Sequence, residues 1–154
     1  MMNLLRRIAS APGLRTLLLP GHTPGLTGLA FRWRAQRVVV AADAAMTEEF
    51  FRAREGYHNS SDMEQARASI DRLTQEADII IPGHGKLSNA AELKAYRDML
   101  ATVAGRVKAL VAQGKKLEEI VAAKPSAEWD EKLGNGFIKT PKFAEMLARP
   151  LLKR

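Results

Sequence analysis

No cysteine occurs anywhere in the 154 residues, which removes disulfides, zinc–thiolate sites and thiol nucleophiles at a stroke. Aromatic residues make up only 6% of the chain and do not interleave with the basic ones, so the stacking platform of a single-strand nucleic-acid binder is missing. No apolar run approaches the ~20 residues a membrane-spanning helix requires. Histidine is scarce as well, with three in the whole chain. A metal bound here must be held by imidazole and carboxylate.

What is present is ordinary for a globular protein: 46% apolar and 27% charged residues, in a length that suffices to bury a core. The net charge of +7 invites a nucleic-acid reading. The basic residues are nevertheless scattered, with Arg32, Arg34 and Arg37 around one hairpin, Lys115-Lys116 near a helix junction and Lys153-Arg154 at the end. That distribution reads as a solvated basic surface. The opening Met1-Met2-Asn3-Leu4-Leu5-Arg6-Arg7-Ile8 is too short in its apolar part for a signal peptide, and its positive charge follows that part. A short amphipathic helix with Leu4, Leu5 and Ile8 inward is expected, and a cytoplasmic location.

Along the chain, Leu14–Leu19, Thr27–Trp33 and Arg37–Ala42 read as strands, the last with a Val38-Val39-Val40 run that suggests cover on both faces. Residues 46–59 are irregular, with Phe50, Phe51 and Tyr57 expected to be partly buried. Ser61 and Glu64 make a capping box for a helix whose apolar stripe is Met63, Ala66, Ile70, Leu73 and Ala77. Ile79-Ile80-Ile81 comes next as a strand. Asn89 and Glu92 cap a second helix carrying Leu93, Tyr96, Leu100, Val103, Val107 and Leu110 and stopping at Gly114. A short helix around Leu117, Ile120 and Val121 closes at Pro125, a polar loop runs from Trp129 to Ile138, and Phe143, Met146 and Leu147 mark a last helix.

Two of the three histidines share one context. His22 lies in Pro20-Gly21-His22-Thr23-Pro24-Gly25, entered from Leu17-Leu18-Leu19, and His84 in Pro82-Gly83-His84-Gly85, entered from Ile79-Ile80-Ile81. Between them the Val38–Ala42 strand ends on Asp43. Strand ends that deliver His, Asp and His to one sheet edge are a way to build a metal site, so His22, Asp43 and His84 are the candidate metal ligands. Taken alone, Asp43 also reads as a helix cap for the segment after it. His58 reads as a surface or hydrogen-bonded histidine.

These motifs, in this order and ending in Ala77-Asp78-Ile79-Ile80-Ile81-Pro82-Gly83-His84-Gly85, resemble the C-terminal half of the metallo-β-lactamase-fold hydrolases. The helical tail from Ala95 through Ile120 is similar to that of some general members. The resemblance implies an α/β fold: half of an αββα sandwich, a mixed sheet covered by helices, over residues 1–88, with a helical C-terminal extension over residues 89–154. It implies one or two zinc ions, with His22 on the first, His84 on the second and Asp43 bridging. Ala42 departs from the family's usual Gly before the bridging Asp. The family's main motif, His-x-His-x-Asp-His, is not in these residues.

A catalytic zinc takes three protein ligands and a water whose pKa it lowers toward ~7. With three donors divided between two ions, weak or no metal binding and no catalysis are expected of the chain alone. A complete site would hydrolyse a small-molecule ester, thioester, amide or phosphodiester. A half sandwich also leaves an apolar sheet face open, which predicts self-association or pairing with a complementary N-terminal half. The alternatives are a non-catalytic remnant serving as a structural or interaction domain, and a basic nucleic-acid or nuclease-related module. No membrane partner is expected.

Overall fold

A computed structural model describes residues 13–46 and 60–153, the side chains of 60–63 excepted. The expected N-terminal helix (Leu4, Leu5, Ile8), the aromatic residues Phe50, Phe51 and Tyr57, His58, and the side chains of Ser61 and Met63 lie outside the described residues.

Four strands form one mixed sheet in sequence order. Strands β1 (Arg15–Leu18), β2 (Thr27–Trp33) and β3 (Gln36–Met46) are an antiparallel meander, and β4 (Ile79–His84) lies parallel to β3. A parallel neighbour needs a crossover, supplied here by helix α1 (Ser60–Glu76). The remaining chain is helical: α2 (Ala90–Ala112), α3 (Leu117–Ala122), a 3₁₀ turn (Ala127–Trp129), α4 (Asp130–Leu133) and α5 (Thr140–Leu152).

The pleat sends alternate residues to opposite faces, and the register aligns them across the sheet. Leu17 and Gly28 pair on one face, as do Ala30, Val39 and Ile80, and all five are buried. This face joins Ala66, Ile70 and Leu73 of α1, Leu93, Tyr96 and Leu100 of α2 and Phe143 of α5 in the main core. On the other face the rows Leu29–Val40–Ile81 and Phe31–Val38–Ile79 line up. Val38 is buried there, Leu29, Phe31, Val40, Ile79 and Ile81 are half-buried, and Leu18 and Trp33 are 56% and 58% exposed. A smaller cluster of Val107, Ile120 and Ala148 fastens α3 and α5 to the end of α2.

Local signals set several boundaries. The Asn89 side chain accepts from the N–H groups of Ala91 and Glu92, both at 3.0 Å, satisfying two of the orphan donors that begin α2. Glu92, expected to share this cap, instead accepts from the Ser88 hydroxyl at 3.1 Å. Gly114, at φ +75°, ends the helix while Lys115 N–H returns to the Leu110 carbonyl.

Two readings need correction. Strand β3 does not stop at Ala42 but runs on to Met46, through register shifts at Ala42 and before Met46. The segment from Trp129 to Ile138 is not simply a polar loop, because it carries α4 and buries Leu133 and Ile138.

The start of the parallel pair is tied by one carboxylate. Asp78 accepts from the Arg37 backbone N–H at 2.7 Å and from its guanidinium at 2.7 Å, while Arg37 also reaches the Gln75 carbonyl. These Arg37 hydrogen bonds lower the Asp78 pKa to about 2. A carboxyl depressed in the folded state stabilises it above the unfolded pKa and loses that contribution as pH falls through the folded one. Asp78→Asn is therefore expected to flatten the acid limb of the stability profile between pH ~4 and ~2, measured by urea melts across that range.

Candidate functional site

His22 reaches the site because its loop is clamped against α1. The Leu19 N–H donates to the Leu26 carbonyl at 2.8 Å and closes the loop, and the Ser69 hydroxyl donates to the Pro20 carbonyl at 2.7 Å. Gly21 sits at φ +136°, and a Cβ there would lie 2.5 Å from the Ala66 Cα. Only glycine lets the loop approach the helix so closely. The result is a His22 side chain only 13% exposed.

Asp43 is delivered by a bend inside β3. Ala42 before it holds φ +47°, a left-handed conformation that disfavours any residue with a Cβ. That is the physical reason a glycine would suit this position. The parallel strand packs onto the bend at Gly83, where a Cβ would come 2.3 Å from Asp43 Oδ1 and 2.7 Å from the Ala42 carbonyl carbon. His84 is the next residue, paired in register with Met46. The chain then turns back, locked by reciprocal Ile80–Ser88 backbone hydrogen bonds at 2.8 and 2.9 Å.

The structure thus brings all three side chains to one edge of the sheet. His22 Nε2 lies 3.4 Å from Asp43 Oδ2, and His84 Nε2 lies 3.6 Å from Asp43 Oδ1. Each imidazole addresses a different carboxylate oxygen, and the side chains of Asp43 and His84 are 35% and 52% exposed. Among the described residues no group of three or more His, Cys, Asp or Glu side chains is gathered as a metal ion requires. The donor chemistry suits zinc and the donor number does not: an ion on either side of Asp43 would take one imidazole and one shared carboxylate, against the three or four ligands of a stable site. The described residues alone do not fit the metal. His58 lies outside them.

Sequence reasoning did not find Ser69, and it placed Gly83 in the His84 loop without its contact with Asp43. A hydroxyl on the inner face of α1 gives no signal, and the role of Gly83 depends on which strand lies beside β4.

Among the described residues, no helix is long and apolar enough to cross a membrane. A family model for the metallo-beta-lactamase superfamily matches residues 5–84. Among solved structures, a metallo-beta-lactamase family protein from Thermus thermophilus is similar with 24% identity and a TM-score of 0.56, covering 88% of this chain and 42% of that one. A beta-lactamase domain protein from Burkholderia ambifaria is similar with 17% identity and a TM-score of 0.61, covering 88% of this chain and 39% of that one. At these identities the likeness concerns the fold, and the chain spans well under half the length of either structure. No curated protein matches the chain.

Two substitutions test this geometry. Ala42→Gly is expected to raise stability by about 0.5–1 kcal/mol, the left-handed strain relieved outweighing the added chain entropy. Gly83→Ala is expected to cost about 1–3 kcal/mol by overpacking. It should also displace Asp43, seen as altered imidazole proton shifts of His22 and His84 in the NMR spectrum.

Proposed function

The chain belongs to the metallo-beta-lactamase superfamily, and from that premise we propose that it is the C-terminal portion of a zinc-dependent hydrolase. The substrate class is a small-molecule ester, thioester or amide. In this reading His22, Asp43 and His84 join donors that these 154 residues do not carry. The observation that carries the reading is Asp43, with one imidazole facing each of its carboxylate oxygens. A carboxylate so placed suits a ligand shared between two ions, with His22 serving one side and His84 the other.

The number of donors sets the rest. Two ligands per ion from the described residues do not hold zinc against water, and on this reading the chain alone is inactive. The complement is a segment bearing His-x-His-x-Asp-His, a pattern absent from the 154 residues. Its docking site is the second sheet face, where Leu29, Phe31, Val40, Ile79 and Ile81 remain half-buried and Leu18 and Trp33 exposed. A contiguous apolar face of this kind calls for a partner. The complement is another polypeptide segment or, where two chains meet through the same face, a second copy. Arginines 37, 72, 97, 106 and 149 are each engaged by a carboxylate, which weakens the case for a nucleic-acid surface.

A second reading, a non-catalytic interaction domain, draws on the missing three-donor group among the described residues. Zinc content separates the two. After zinc loading and desalting, the chain alone is expected to retain well under one zinc by elemental analysis and not to turn over a nitrophenyl ester. A polypeptide bearing His-x-His-x-Asp-His from a structural neighbour, added in trans, is expected to bring at least one zinc per pair, with His22→Ala and His84→Ala each reducing it. Stoichiometric zinc and turnover by the chain alone would overturn the need for outside donors. No zinc under any pairing would overturn the hydrolase reading in favour of the interaction domain.

A further inference from the structure

The two lateral flanks of the sheet are unlike. Beside β4 the backbone of Ser88 bridges to Ile80, so that flank is already paired. On the far side β1 is the terminal strand, and among the described residues no strand lies beyond it. One hydrogen bond fixes which way its backbone groups point. The Leu19 N–H donates to the Leu26 carbonyl at 2.8 Å, one step beyond the Leu18–Thr27 partners of the β1–β2 register. Hydrogen-bonded and non-hydrogen-bonded pairs alternate along an antiparallel ladder. Leu17–Gly28 and Arg15–Ala30 are therefore the hydrogen-bonded pairs, and the N–H and C=O groups of Thr16 and Leu18 point away from β2. The Leu18 carbonyl agrees, for it faces the Arg72 guanidinium of α1 at 3.4 Å. A carbonyl oxygen has a second lone pair, so this contact leaves it able to accept again.

Such a flank is a template for another strand, and proteins commonly blunt it with lysine, proline or a bulge. Strand β1 carries none of these. Its one charge, Arg15, is drawn to Glu76 of α1 at 3.2 Å. The side chains beside the outward groups are Thr16, which is exposed, and Leu18, 56% exposed. The pattern is also its own complement. Placed antiparallel about a two-fold axis at Leu17, a second β1 sets Thr16 opposite Leu18 of the copy and Leu18 opposite Thr16, each pair exchanging both of its ladder hydrogen bonds. Arg15 then falls opposite Leu19 of the copy, so like charges do not meet across the axis.

We propose that the outer flank of β1 docks a second copy of this chain, through antiparallel β1–β1 pairing centred on Leu17. The sheet then runs unbroken through both molecules. The strand is short, so the interface is of the small, concentration-dependent kind. The inference does not rest on the hydrolase reading, because it uses the flank of the sheet and leaves the apolar face and the candidate metal ligands untouched.

Sedimentation equilibrium of the full chain from about 5 to about 500 µM suits an interface of this size. The average mass is expected to climb from that of one chain toward that of two. Thr16→Pro removes an outward N–H and no bond to β2, a place where an edge strand tolerates proline. Leu18→Lys puts a charge on the flank. Both variants are expected to stay monomeric throughout while melting cooperatively, and Trp33→Lys, on the open face away from β1, should associate as the parent chain does. Register is tested separately, since the chain has no cysteine of its own. Directly opposed residues lie ~5.5 Å apart at Cα, within disulfide reach, and diagonal ones at ~7–8 Å lie beyond it. A mixture of Thr16→Cys and Leu18→Cys chains should therefore oxidise to a linked pair, and Thr16→Cys chains alone should not. The proposal is overturned by a single-chain mass at every concentration, by association that survives both Thr16→Pro and Leu18→Lys, by its loss in Trp33→Lys, or by Thr16→Cys chains linking as readily alone as in the mixture.

Discussion

The close passage of Gly83 over the Ala42–Asp43 bend is the contact on which the rest of the site depends. Two parallel strands approach so nearly there that a single added carbon would overlap a carboxylate oxygen and a backbone carbon. The approach fixes where the Asp43 side chain lies and sets His84 just beyond it. On the β1 side, the clamp of Gly21 against Ala66 does the same for His22. Side chains from loops far apart in sequence meet because a glycine admits a close neighbour at both places.

The sheet that carries this edge is asymmetric. One face is sealed under α1, α2 and α5 by fully buried aliphatic residues, and the other holds aligned rows of half-buried ones. The same asymmetry appears in chemistry: among the described residues the donors are of the right kind and too few in number. On the function proposed above, the half-buried apolar face and the undersupplied metal edge of the described residues would both be completed by one complementary segment.

Much of this was legible in the residues. Pro and Gly after apolar triplets announced the loops that hold His22 and His84, and Asn89, Gly114 and the stripe from Leu93 to Val107 announced α2. What escaped notice depended on tertiary packing. Strand β3 continues through Ala41-Ala42-Asp43-Ala44-Ala45, a run of weak strand formers, because β4 and the core hold it in the sheet despite the bend at Ala42. The stretch Trp129–Ile138 looked polar because Leu133 and Ile138 are single apolar residues among charges and glycines, yet each has a place in the core. A pocket of Tyr96 and Trp129 joins side chains from a helix and a 3₁₀ turn whose packing no local pattern encodes.

The sheet's connectivity also orders its assembly in time. The meander of β1, β2 and β3 joins neighbours through the His22 loop and one tight turn, so little loop entropy opposes it. Pairing β4 with β3 must wait until the α1 crossover has closed a much longer loop. Asp43 therefore belongs to the local meander, whereas His84 joins it through the most non-local strand pairing of the sheet, so the two-imidazole edge is complete only when the whole sheet is.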